Sequence, residues 1–155
     1  MAMPSDIESV CRGHLRFMQW ADERVISAVE QQTAPDLRTL QHVYLGEAVW
    51  LGRIQGKPGL QLADVAVPQD IAALRAAFDA IHQAWNSWAA GVTDWDVTVP
   101  HHNSRGEEHQ MPAWQITLHV SNHGSYHRGQ ITAALRAVGI APPATDLIVW
   151  YRLEG

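Results

Sequence analysis

His119-Val-Ser-Asn-His123-Gly-Ser-Tyr-His127 places three histidines at successive steps of four. On a helix each step turns about 400°, so neighbouring imidazoles are offset by only about 40° and stand one turn apart on one face. Neutral imidazole is the commonest side-chain metal ligand, and an i, i+4 histidine pair presents two nitrogens to one cation. Helical proteins assemble such centres in the interior of a bundle, from side chains on facing helices. The stretch therefore predicts a metal-binding helix, and with it a bundle that supplies the remaining ligands.

Working outward, Pro112 suits the first turn of this helix and Gly139 closes it after about Val138. Three further helices are predicted upstream. The first covers 6–32, with Ile7, Val10, Leu15, Met18, Val25 and Val29 at helical spacing, Asp6 as cap and Thr33-Ala-Pro35 as stop. The second covers 36–55 and breaks at Gly56-Lys-Pro-Gly59; the third opens at Pro68-Gln-Asp70 and ends at Gly91. Residues 95–111 differ: Trp95, Val97 and Val99 alternate with polar positions before a turn-rich Asn103-Ser-Arg-Gly106, which predicts a short hairpin or ordered excursion. The proline-rich tail from Ala141 to Asp146 cannot continue a helix, and Leu147 to Tyr151 is expected to pack back on the body. The expected fold is all-α: a four-helix bundle with a long crossover connection, in one domain over residues 1–155.

Composition narrows the function. With 46% apolar and 17% charged residues the 155-residue chain reads as globular. A net charge of −5 with only 11 Lys and Arg argues against nucleic acid as partner. No run approaches the roughly 18 apolar residues of a membrane span. Met1-Ala-Met-Pro-Ser-Asp6 has no signal-peptide pattern, and the single Cys11 excludes an internal disulfide, so a cytoplasmic location is expected. Seven tryptophans supply buried area, while nine histidines among so few lysines tilt the polar inventory toward ligands.

A catalytic metal site wants three protein ligands and an open position. One ion can bridge one helical turn, so two adjacent members of the 119/123/127 set contribute and the third ligand comes from elsewhere. His42 is the leading candidate, because it lies in the second helix among Leu40, Val43 and Leu45. His14 is read as core or surface, and His82, between Ile81 and Gln83, as exposed. His101, His102 and His109 fall in the excursion, where they read as surface groups that can line the mouth of a site. A thiolate zinc or iron–sulfur site is excluded for want of cysteines, and position 124 is Gly, so the glutamate of the HExxH peptidases is missing. His119 and Glu47 are the candidate general bases. Trp20, Trp50 and Trp114 are candidate walls for a small-molecule substrate, and Arg128 and Gln130 read equally as orienting a substrate carboxylate or a ligand imidazole and as structural groups at the dimer or tail contact.

Four blocks, in order, resemble one family. Asn122-His123-Gly-Ser-Tyr126-His127-Arg128-Gly129-Gln130 resembles the Asn-His-x-x-[His/Tyr]-His-Arg-Gly-Gln signature of the DinB (DinB/YfiT-like) family. Trp20-Ala-Asp-Glu-Arg24 is similar to its Trp-Ala-Asn-Glu-Arg. Thr39-Leu-Gln-His42 and Trp50-Leu-Gly-Arg53 are similar to its Thr-Leu-x-His and Trp-x-x-Arg, and Gly139-Ile-Ala-Pro-Pro143-Ala-Thr-Asp146-Leu to its tail. The resemblance implies a four-helix bundle paired as a homodimer and one divalent metal held by His42, His123 and His127, leaving His119 outside the ligand set. Zn or Ni are the expected ions, with Fe, Mn or Cu also compatible. It further implies a transferase acting on small electrophiles with a low-molecular-weight thiol such as bacillithiol, mycothiol or glutathione. The alternatives are a hydrolase using metal-bound water and a non-enzymatic metal-binding stress-response protein.

Overall fold

The structure, a computed structural model, describes residues 6–154. The reading of the first five residues as carrying no leader falls outside them. Five helices and one two-stranded antiparallel sheet make up the described chain. Helix α1 (Ile7–Val29) starts where Asp6 accepts a hydrogen bond from the Ser9 amide at 2.9 Å, satisfying one of the free N–H groups of the first turn. It ends three residues before the expected stop, in a turn over Glu30–Gln32. Helix α2 (Arg38–Ile54) follows, then a single 3-10 turn at Leu62–Asp64 and helix α3 (Ile71–Gly91), where Asp70 caps the Ala73 amide at 2.8 Å.

Strands β1 (Thr98–His102) and β2 (Glu108–Pro112) form the expected hairpin, with Val99 opposite Met111 and His101 opposite His109. Asn103 closes it by accepting from the Arg105 and Glu107 amides, and Gly106 takes the left-handed conformation (φ 80°) that the tip requires. Helix α4 (Ala113–Ala137) begins directly after Pro112, and Gly139 (φ 77°) terminates it as the Ile140 amide folds back on the Leu135 carbonyl at 3.0 Å. The tail, expected only to pack back, forms a short helix α5 (Leu147–Leu153), whose Trp150 seals Phe17 and Ala21.

Each long helix packs on two others, α1 and α2 both against α4 and α3. Two apolar clusters fill the space between them. One contains Val25, Ile26, Leu40, Val43, Leu74, Phe78 and Leu135; the other contains Leu15, Met18, Leu51, Trp85, Trp95 and Val120. Each large side chain taken fully from water stabilises the fold by about 1.5–3 kcal/mol. The long link after α2 is pinned to the hairpin, His102 N–H to the Pro58 carbonyl at 2.8 Å and the Gln61 side-chain Nε2 to the Asn103 carbonyl at 3.1 Å. That fastening roofs one end of α2 and α4. Among the described residues, no helix is long and apolar enough to cross a membrane.

Candidate metal centre

Helices α2 and α4 bring His42, His123 and His127 together, each offering a ring nitrogen within 4.8 Å of the others. Their ring centroids are 4.5–5.1 Å apart. A tetrahedral ion with bonds of about 2.0–2.1 Å needs donors roughly 3.4 Å from one another, a spacing this cluster can meet. Two local features tune it. Gly46, one turn beyond His42, leaves room for the His123 ring: a β-carbon there would lie 2.8 Å from His123 Cε1. His127 Nδ1 is 2.8 Å from Gln130 Oε1; with that nitrogen donating, the Nε2 lone pair is free for a ligand bond.

The cluster is electrostatically prepared for neutral imidazoles. Burial, then the neighbouring His127 and His42, push the His123 pKa down to about 4, and burial lowers His42 as well. A cation that replaces protons among crowded imidazoles relieves that mutual repulsion. Cys11, by contrast, is fully buried and pushed up to about 11, so the chain's own cysteine is an inert thiol.

His119 is not within the ligand cluster. Its ring stands 6.0 Å from His123 and edge-on to Trp50 at 5.3 Å, and burial lowers its pKa, so it is neutral at pH 7. Together with His42, His123, Trp50 and Arg53 it lines a cavity of about 150 Å³. Trp20 and Trp114 pack elsewhere, Trp20 beside Phe17 and Trp150 and Trp114 in the Trp85 cluster.

Glu47 lies away from that cavity. It is buried, as is Asp22, and His82 Nε2 bridges them at 3.1 Å to Asp22 Oδ2 and 3.2 Å to Glu47 Oε2. Arg128 Nη1 reaches Asp22 Oδ1 at 2.6 Å, so each long helix contributes one ionisable group to a polar layer between the apolar clusters. This corrects two expectations: His82 is an interior group, and Arg128 faces the core instead of a substrate. The signal was present, since residues 22, 47, 82 and 128 each occupy an i, i+4 or i, i+3 slot of an apolar stripe: Met18–Asp22–Val25, Val43–Glu47–Leu51, Phe78–His82–Trp85 and Arg128–Ile131–Leu135. The donor atoms of Asp22, Glu47 and His82 also converge within 4.8 Å. Arg128 already neutralises Asp22, and the nitrogen that would bind an ion is shared between two carboxylates, so an ion pair network is the better physical description.

Burial, then the adjacent Asp22 carboxylate, raises Glu47 to about 8; burial opposes charge on His82, but hydrogen bonds to Asp22 and Glu47 prevail and raise it to about 10. Both folded-state values lie above the unfolded ones, so their stabilising contributions are complete at low pH and decline as pH rises, Glu47 from about 4.5 to 8 and His82 from about 6.5 to 10. Thermal melts should therefore show Tm falling between pH 6 and pH 9, as both groups lose protons from the folded state. Glu47→Gln should flatten the lower half of that slope. An unchanged slope in Glu47→Gln would mean that the carboxyl ionises in the folded protein as it does in the unfolded chain.

The chain has known relatives. Residues 15–153 match the DinB family. Protein DinB of Bacillus subtilis (strain 168) is 24% identical over 146 residues, covering 82% of this chain and 85% of its own. The crystal structure of a DinB-like protein from Bacillus cereus superposes with a TM-score of 0.60 at 18% identity, covering 89% of this chain and 94% of that one. With the match running through α1 to α5 and including all three clustered histidines, the chain belongs to the DinB family.

Proposed function

We propose that the four long helices work as a bundle holding one divalent metal ion through His42, His123 and His127, and that the protein is a metal-dependent enzyme joining a low-molecular-weight thiol to a small electrophile. The observation that carries this reading is the convergence of three imidazoles, two of which, His42 and His123, line a cavity with Trp50, His119 and Arg53. An ion bound there supplies Lewis acidity, stabilising the thiolate form of a thiol at neutral pH.

The chain's own residues do the rest. Gln130 fixes the His127 tautomer. Trp50 and Val49 present an apolar wall that excludes water from one side of the cavity. His119, neutral and without a hydrogen-bond partner among the described side chains, can accept the thiol proton at a ring nitrogen. Glu47 is unsuited to that task, being enclosed in the Asp22–His82 network.

Chlorodinitrobenzene is the direct test. Zinc-loaded protein should form the thioether from glutathione, with loss of chloride, faster than glutathione alone, and a panel of simple esters should remain intact. Turnover of esters without thiol would instead establish a hydrolase with water as nucleophile. Stoichiometric metal with neither activity would favour a non-enzymatic metal-binding role.

A further inference from the structure

The cavity over the histidine cluster contains a cation without a counter-ion. Arg53, in the last turn of α2, is only 7% exposed. Its guanidinium lies over the Trp50 ring, with Cζ 4.7 Å from the ring centroid. Nε donates to the Leu60 carbonyl at 3.0 Å and Nη2 makes a long contact of 3.5 Å to Gln61 Oε1, while Nη1 has no acceptor among the described residues. No carboxylate of those residues comes within 4.0 Å of it, whereas the other deeply buried arginine, Arg128, has Asp22 at 2.6 Å.

The surroundings sharpen the contrast. In a protein of net charge −5, the cavity has no acidic side chain in its lining, which combines Arg53 and Gln61 with His42, His119 and His123. The C-terminal dipole of α2 and one carbonyl offset part of the guanidinium's charge, but a dipole end is worth only about half a charge. Burial disfavours the charged form, and nothing in the chain offsets this in full. A guanidinium carries five N–H donors in a planar fork; with Nε on the Leu60 carbonyl and Nη2 making only one long contact, the end-on edge formed by Nη1 and Nη2 remains for a bidentate acceptor.

We infer that Arg53 is the anion-binding residue of this site and that the molecule bound beside the histidine cluster carries a carboxylate. This deepens the proposed function by naming a ligand class. His42, Gly46, Trp50 and Arg53 follow one another at steps of four, four and three along α2, so they share a face. His42 and Arg53 are 11 residues apart, which separates their Cα atoms by roughly 16 Å. The ligand is therefore elongated, with its reactive atom at the histidine end and its carboxylate at the arginine end. Its carboxylate belongs either to the thiol or to the electrophile.

Calorimetric titration of zinc-loaded protein separates these sources. In the thiol arm the probes are glutathione and its diethyl ester; in the electrophile arm they are chlorodinitrobenzoate and chlorodinitrobenzene. Wild type should prefer the carboxylate over the neutral probe by roughly tenfold or more in one arm, which identifies the source. Arg53→Met should erase that preference with zinc content unchanged, and Arg53→Lys, which keeps charge but loses the fork, should keep part of it. Circular dichroism melts establish that each variant is folded. No carboxylate preference in either arm, or a preference that survives Arg53→Met, overturns the inference. Wild type that takes up no zinc yet still shows the preference, with Arg53→Met erasing it, would instead sink the metal reading and leave the anion site standing.

Discussion

Replacing Arg128 with methionine should cost about 3–5 kcal/mol of folding stability, because it strands the Asp22 carboxylate without its main counter-charge in the interior. Asp22 is 0% and Arg128 1% exposed, and their 2.6 Å contact is the shortest ion pair in the polar layer. Arg128 keeps Asp22 ionised against a burial penalty that acts in the opposite direction. His82 would remain as a partial partner, which places the expected value toward the lower end of the range. Urea unfolding at pH 7 measures it. Asp22→Asn in the same background should recover part of the loss, since an amide is far less costly to bury than an unpaired charge. A loss under about 1 kcal/mol, with no coupling in the double variant, would show that Asp22 takes up a proton and the pair contributes little. Gly124 offers an independent check. A β-carbon there would lie 2.6 Å from Arg128 Nη1, so Gly124→Ala should push the guanidinium off Asp22 and reproduce a fraction of the same loss.

That polar layer also shows where sequence reasoning reaches and where it stops. Helix limits were legible because caps and stops are local: Asp6, Asp70 and Gly139 each act on backbone within a few residues. Periodicity put two adjacent α4 histidines forward and apolar neighbours singled out His42, whereas the choice of His123 and His127 over His119 came only with the family resemblance. The immediate neighbours Ile81 and Gln83 suggest an exposed His82, whereas its place on the Leu74–Phe78–Trp85 stripe carries the contrary signal. Asp22 and Arg128 pair across 106 residues, a relation that only the assembled helices create. Arg53 is the same kind of case. Its isolation depends on what the 56–61 link and the hairpin do not bring to it, and single-segment patterns contain no information about that. The tail helix was missed for another reason: seven residues are too few to form a stable helix alone, and Trp150 gains its burial only against α1.

Substitution of the clustered histidines should have the largest effect on metal content. His123→Ala and His127→Ala are each expected to abolish stoichiometric uptake, and His42→Ala to weaken affinity more than about 100-fold, beyond the 10–100-fold typical of losing a residue that merely orients a ligand. Gln130→Ala belongs in that smaller range, since it frees the His127 ring without removing it. His119→Ala should leave most of the metal in place, its ring standing beside the cluster instead of within it. Gly46→Ala adds a test that changes no donor atom. Its β-carbon would intrude to 2.8 Å from the His123 ring, so the ring must rotate or α2 must move away from α4. Metal affinity should fall while helicity persists. Elemental analysis of protein made without a polyhistidine tag, followed by competition with a chelator, reads all six variants. Because binding requires neutral imidazoles, retention by wild type should also decline as pH drops below about 6. Equal loss at His119 and none at His42 would mean that the ion sits one turn earlier on α4, against the hairpin instead of α2.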